Sequence, residues 1–193
     1  MLSYEESLKI LKETNALIEG HFILSSGLHS PQYIQCAQLL SKPYKADLLC
    51  KSLASKIKND FNKIDLILSP AMGGIIIGYE IGRLLNIETI FSERVNNNFL
   101  LRRDFNIPKD SNVLIVEDVI TTGKSSLECS KIIKDSGANI LGYACIIDRS
   151  NGMSLIKDKI VSQIKINIPT FHKDNLPEDL LSIKAVKPGS RNI

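Results

Sequence analysis

A chain of 193 residues, 44% hydrophobic and 23% charged, reads as one globular domain with room for a substantial core. Its net charge of +3 suits a pocket for polyanionic small molecules. The charge is too weak, and the lysines too dispersed among few aromatics, to argue for nucleic acid.

Ser3 to Ile18 has apolar residues at roughly helical spacing, with Ser3 and Glu6 placed for a capping box and Gly20 as its stop. Phe22 to Leu24 and Gln32 to Cys36 read as short strands around the polar turn Ser25 to Pro31. Pro43 to Ile57 is a second helix, with Leu48, Leu49, Leu53 and Ile57 along one face. From there strands and helices alternate. The expected order is strand Leu66 to Leu68, helix Gly74 to Leu85, strand Thr89 to Ser92, strand Val113 to Val116, helix Ser125 to Ser136 and strand Ile140 to Ile147. Ser154 to Ile168 is expected to add a helix and a closing strand. Such alternation implies βαβ units and a mostly parallel sheet.

Leu66 to Leu85 is the most apolar stretch, but Pro70 interrupts it and Glu80 and Arg83 charge it, so it does not read as a membrane span. The first residues, Met-Leu-Ser-Tyr-Glu-Glu-Ser, carry early acids and no apolar core, unlike a signal peptide. Cys36, Cys50, Cys129 and Cys145 lie far apart without C-x-x-C pairs, as expected of reduced thiols in a cytoplasmic protein.

The stretch Val113 to Ser126, V-L-I-V-E-D-V-I-T-T-G-K-S-S, carries the strongest chemical signal. A buried strand should surface at Glu117 and Asp118, followed by a loop of small hydroxyl residues that opens a helix. Ligands of open α/β sheets bind beyond the carboxyl ends of the strands. Carboxylates there can accept hydrogen bonds from a sugar diol, while loop amides, hydroxyls and a helix N-terminus hold a phosphate. Gly-Lys-Ser does not make this a nucleotide P-loop: the required glycine, five residues before Gly123, is Asp118. A receiver domain would begin with such a strand, whereas more than half of this chain precedes it.

These residues resemble the 5-phosphoribosyl 1-pyrophosphate (PRPP) motif of the type I phosphoribosyltransferases. Further segments are similar to the orotate-using branch of that family: Gly20 to Ser30 to its N-terminal hood, Ser69-Pro70-Ala71-Met72-Gly73-Gly74 to its pyrophosphate loop, and Glu93-Arg94 with Leu101-Arg102-Arg103 to its catalytic loop. Asp148 to Gly152 resembles its carboxylate-binding turn, and Ala185 to Arg191 its C-terminal signature.

The resemblance implies a single phosphoribosyltransferase domain over residues 1–193. Its core spans about 41–165, and a small hood is built from about 1–40 and part of the C-terminus. It implies transfer of phosphoribose from PRPP to orotate, giving orotidine 5′-monophosphate and pyrophosphate, with Mg²⁺ carried mainly by PRPP oxygens and water. PRPP would be held by Glu117, Asp118, Val119, Ile120, Thr121, Thr122, Gly123, Lys124 and Ser125, with Gly73, Gly74 and Arg94. Arg94, Asp118 and Glu117 would be catalytic, and Thr121, Arg149 and Tyr33 would meet orotate. The family's loop usually holds lysine; Val95 to Asn98 supply none, so Arg102 and Arg103 would carry its positive charge. A homodimer sharing this loop across subunits is expected, in the cytoplasm, with no nucleic-acid or membrane partner. A purine-type phosphoribosyltransferase would share the 113–126 loop but lack the hood and the arginine turn. A non-catalytic PRPP-binding regulator would share the fold without turnover.

Overall fold

The computed structural model describes residues 1–24 and 26–188. Ser25, and Gly189 to Arg191 of the C-terminal signature, lie outside the described residues.

Helix α1 (Tyr4–Glu13) opens on the expected capping box: Glu6 N–H donates to Ser3 Oγ at 3.1 Å and Ser3 N–H to Glu6 Oε2 at 2.7 Å. It does not run to Ile18. Asn15 takes a left-handed turn (φ 58°), and Leu17 and Ile18 enter strand β1 (Leu17–Ile23) instead. β1 pairs antiparallel with β2 (His29–Ile34), after which α2 (Cys36–Leu40) stands where the strand was expected to end. α3 (Pro43–Asp60) carries proline in its first turn.

The main sheet follows. β3 (Leu66–Pro70), α4 (Gly73–Leu85), β4 (Thr89–Val95) and β5 (Asn98–Leu101) lead to β6 (Asn112–Ile120), α5 (Lys124–Asp135), β7 (Asn139–Asp148) and β8 (Ile160–Lys165); α6 (Glu178–Leu181) comes last. Strand order is β5-β4-β3-β6-β7-β8, parallel except for the antiparallel β4–β5 pair. Alternate residues of the central strands build two cores. Ile67, Leu114 and Val116 pack under α1, α3 and α4, while Leu68, Val113 and Ile115 pack under α5.

Two expectations are corrected here. β5 is a strand inside the polar stretch that read as loop, because Asn96 and Asn97 adopt the left-handed backbone that a two-residue hairpin turn requires. Residues 154–159 form no helix. Ser154 and Ile156 are buried against Gly123, and Leu155 N–H donates to Thr122 O at 2.9 Å, so the segment braces the loop before α5.

The β1–β2 sheet stands apart from the main one and is stitched to the last part of the chain. Backbone bonds join Ile23 N–H to Val186 O (2.9 Å), Val186 N–H to His21 O (2.8 Å), and His29 with Phe171 in both directions. Inside it, buried His29 and His21 are linked ring to ring at 2.6 Å, and His21 Nδ1 lies 2.9 Å from Ile183 O. Because a carbonyl only accepts, His21 Nδ1–H donates there.

Candidate active site

The C-terminal ends of β3, β4, β6 and β7 come together on one edge of the sheet. Glu117 and Asp118 stand on it, inside β6 rather than just after it, since pairing with β7 continues to Ile120↔Asp148. Successive strand residues point to opposite faces, which sends the two carboxylates to different helices. Glu117 accepts a hydrogen bond from Ser126 Oγ in the first turn of α5. Asp118 lies against Gly73 at the start of α4, so closely that a Cβ on Gly73 would sit 2.6 Å from Asp118 Oδ2. Each acid therefore faces the positive end of a helix dipole.

Both carboxyls are half-buried, and burial raises their pKa. Glu117 is pushed up to about 7, with Ser126 pulling it back and Asp118 adding to the rise. Asp118 is also raised by burial, opposed by the backbone N–H groups of Val119 and its own residue.

Thr121, Thr122 and Lys124 are exposed in the turn between β6 and α5, with Ser125 half-buried beside them. Gly123 turns this loop at φ 78°, in a space where a Cβ would meet Ile156 and Ser154. The loop thus offers hydroxyls and the free N–H groups of a helix N-terminus over the sheet edge, a cradle for a phosphate. Val119 and Ile120 take the inward places, with Ile120 buried in the core.

At the end of β3, Ala71 N–H donates to Ser92 O at 2.8 Å, fixing the turn that leads into α4. The Ala71–Met72 peptide bond is cis. Gly74 packs tightly, its missing side chain leaving 3.2 Å to Val116 O.

The arginines of the β4–β5 hairpin are all engaged. Arg94 donates to Glu128 Oε2 of α5 and to Asn97 O, each at 2.7 Å, with its guanidinium 4.2 Å from the Phe99 ring centroid. Arg102 and Arg103 both pair with Glu93, at 3.0 and 2.7 Å. Sequence reasoning did not find Glu93 and Glu128 as partners; Glu93 is adjacent to Arg94 in the chain, but Glu128 lies 34 residues beyond it.

Arg149 stands just past β7, and its backbone N–H donates to Ile120 O at 2.8 Å, locking it to the end of β6. Among the described residues it makes no ion pair; Asp148 instead accepts from Ser150 N–H at 2.9 Å. Burial lowers the pKa of Arg149, and the Tyr33 phenol opposes that fall. Tyr33 packs beside Phe22 (5.7 Å between ring centroids) and its hydroxyl donates to Gln35 Oε1 at 3.0 Å. The structure thus brings the aromatic side of the β1–β2 sheet near an uncommitted guanidinium.

The architecture and these motifs agree with the comparisons. The phosphoribosyl transferase domain family matches residues 37–179. The orotate phosphoribosyltransferase of Parvibaculum lavamentivorans is 45% identical over 193 residues, all of both chains. That of Methylorubrum extorquens is 46% identical over 188 residues, 97% of this chain and 96% of the relative. The crystal structure of orotate phosphoribosyltransferase from Aeropyrum pernix is 23% identical and shares the fold at a TM-score of 0.73, over 82% of this chain and 92% of that one. With a full-length likeness of this degree added to the sheet-edge carboxylates, the chain belongs to the orotate phosphoribosyltransferases of the phosphoribosyl transferase domain family.

Proposed function

We propose that this chain transfers the phosphoribosyl group of PRPP to a ring nitrogen of orotate, giving orotidine 5′-monophosphate and pyrophosphate in pyrimidine synthesis. The observation that carries this reading is the paired carboxylates of Glu117 and Asp118, each at a helix N-terminus, on the edge that also holds Arg149. The curated relatives named for the orotate reaction support the base.

Catalysis rests on positioning and charge, because the base is itself the nucleophile. Glu117 and Asp118 accept from the ribose hydroxyls and offset positive charge developing on the sugar. Thr121, Thr122, Gly123, Lys124 and Ser125 surround the 5-phosphate, with Thr121 at the boundary to the base. Gly73 and Gly74 let the backbone approach the pyrophosphate. Arg149 forks onto the orotate carboxylate while Tyr33 lies against its ring. Arg94, Arg102 and Arg103 offset the leaving charge once they release Glu128 and Glu93. Mg²⁺ would be carried by PRPP oxygens and water, beside the carboxylates of Glu117 and Asp118. When bound, Mg²⁺ neutralises pyrophosphate charge.

The working unit is a cytoplasmic homodimer in which the β4–β5 hairpin reaches the neighbouring site. The outer face of α4 supports this: Met72 is 81% exposed and Tyr79 68%, beside Ile76 and exposed Tyr44 of α3. Among the described residues no helix is long and apolar enough to cross a membrane.

The test is orotate consumption, followed by ultraviolet absorbance with PRPP and Mg²⁺, with adenine and hypoxanthine as control bases. Mg²⁺-dependent loss of orotate alone is expected. Turnover of a purine in its place would assign the chain to the purine enzymes.

A further inference from the structure

Ser126 is fully buried, unlike Thr121, Thr122 and Lys124, so its hydroxyl is not offered to a phosphate. A serine inside a helix ordinarily turns its hydroxyl onto the carbonyl four residues back. Ser130 and Ser136 of the same segment do so, bonding Ser126 O at 3.0 Å and Ile132 O at 2.9 Å. Ser126 instead donates to Glu117 Oε2. Glu117 Oε1 accepts no hydrogen bond among the described residues.

The serine is held in turn. Since Ser130 Oγ donates to Ser126 O, its remaining partner, the Tyr143 hydroxyl 2.5 Å away, is the donor to it. Tyr143 is fully buried in β7, the strand that pairs with β6. Hydrogen bonds from the core of the sheet thus hold the backbone of Ser126, whose hydroxyl reaches the carboxylate on the sheet edge.

We propose that Ser126 is a positioning residue for the transfer, its hydroxyl fixing Glu117 by one oxygen so that the other is presented to the ribose of PRPP. This rests on the ribose-binding reading of Glu117. A carboxylate with one oxygen occupied has a single orientation, and the donor favours its charged form over the neutral acid. The groups that titrate around Glu117 are few. Asp118 stands beside it on β6, Cys129 faces it from α5 and Cys145 from β7, while β3 has no ionisable side chain. Burial pushes both thiols up, Cys129 to about 12, so neither changes charge near neutrality. The phosphates of PRPP titrate alike in every variant below.

The experiment compares kcat and KM for PRPP in the wild type, Ser126→Ala and Ser126→Thr from about pH 5.5 to about pH 9, with melting temperatures alongside. The alanine variant should raise KM for PRPP about tenfold near neutral pH and move the acid limb of kcat/KM upward by about half a unit or more. Threonine, which keeps the hydroxyl, should restore both. An acid limb unmoved by Ser126→Ala overturns the proposal, as does a threonine variant that melts like the wild type yet keeps the alanine profile. Glu117→Gln separates the two levels. If it binds PRPP as tightly as the wild type, the ribose reading itself fails. If it weakens PRPP binding while Ser126→Ala does not, only the role of Ser126 is lost.

Discussion

Glu117 shows how a buried carboxyl weighs on the free protein. Burial raises its carboxyl from 4.5 to about 7, so between those values the folded chain holds a proton that the unfolded chain has released. Its contribution to stability is present below about pH 4.5 and is lost as pH rises through about 7. Glu117→Gln should therefore be more stable than the wild type by about 3 kcal/mol above pH 7, with the difference vanishing toward pH 4. Urea unfolding at several pH values measures it; a difference independent of pH would contradict the argument. At this scale the sequence was informative wherever chemistry was contiguous. Glu-Asp, Thr-Thr-Gly-Lys-Ser and Asp-Arg could be read as groups because short loops keep neighbours together. Gly73 against Asp118 and Ser126 on Glu117 could not, since those contacts depend on which face of β6 each acid takes.

Among the elements, the β4–β5 hairpin departs furthest from expectation. Its asparagines read as solvated loop, but two of them in left-handed conformation make a tight turn, and Phe99 is buried beneath it. Ordering also gave each arginine a carboxylate partner. These pairs are exposed and individually weak, so phosphate oxygens can displace the carboxylates. Replacing Arg102 or Arg103 with alanine should lower kcat about tenfold or more while leaving the melting temperature nearly unchanged. Turnover that survives both substitutions would remove these residues from catalysis. The other missed element, the helix expected after Ser154, had plausible apolar spacing, but Ile156 found its burial against Gly123. Tertiary packing overrode the local pattern there.

For the whole molecule, the alternation of strands and helices from Leu66 onward was legible because buried parallel strands are short apolar runs between helical patterns. The exposed face of α4 was not, since exposure appears only once the neighbours are in place. Tyr79 is at its centre, beside Ile76 and an Asp47–Arg83–Glu80 cluster that offers both charges to a second copy. Tyr79→Glu should shift sedimentation from dimer to monomer at micromolar concentration and reduce turnover with it; a wild-type chain that sediments as a monomer would dismiss the assembly. The small β1–β2 sheet leaves a different mark. His21 and Ile23, early in the chain, bond Val186 far along it, whereas β6, the turn after it and α5 need no residue from that far along. During synthesis β6 and α5 can take shape while β1 still lacks Val186, a partner that has yet to leave the ribosome. A growing chain thus cannot fasten its small sheet until Val186 has been made.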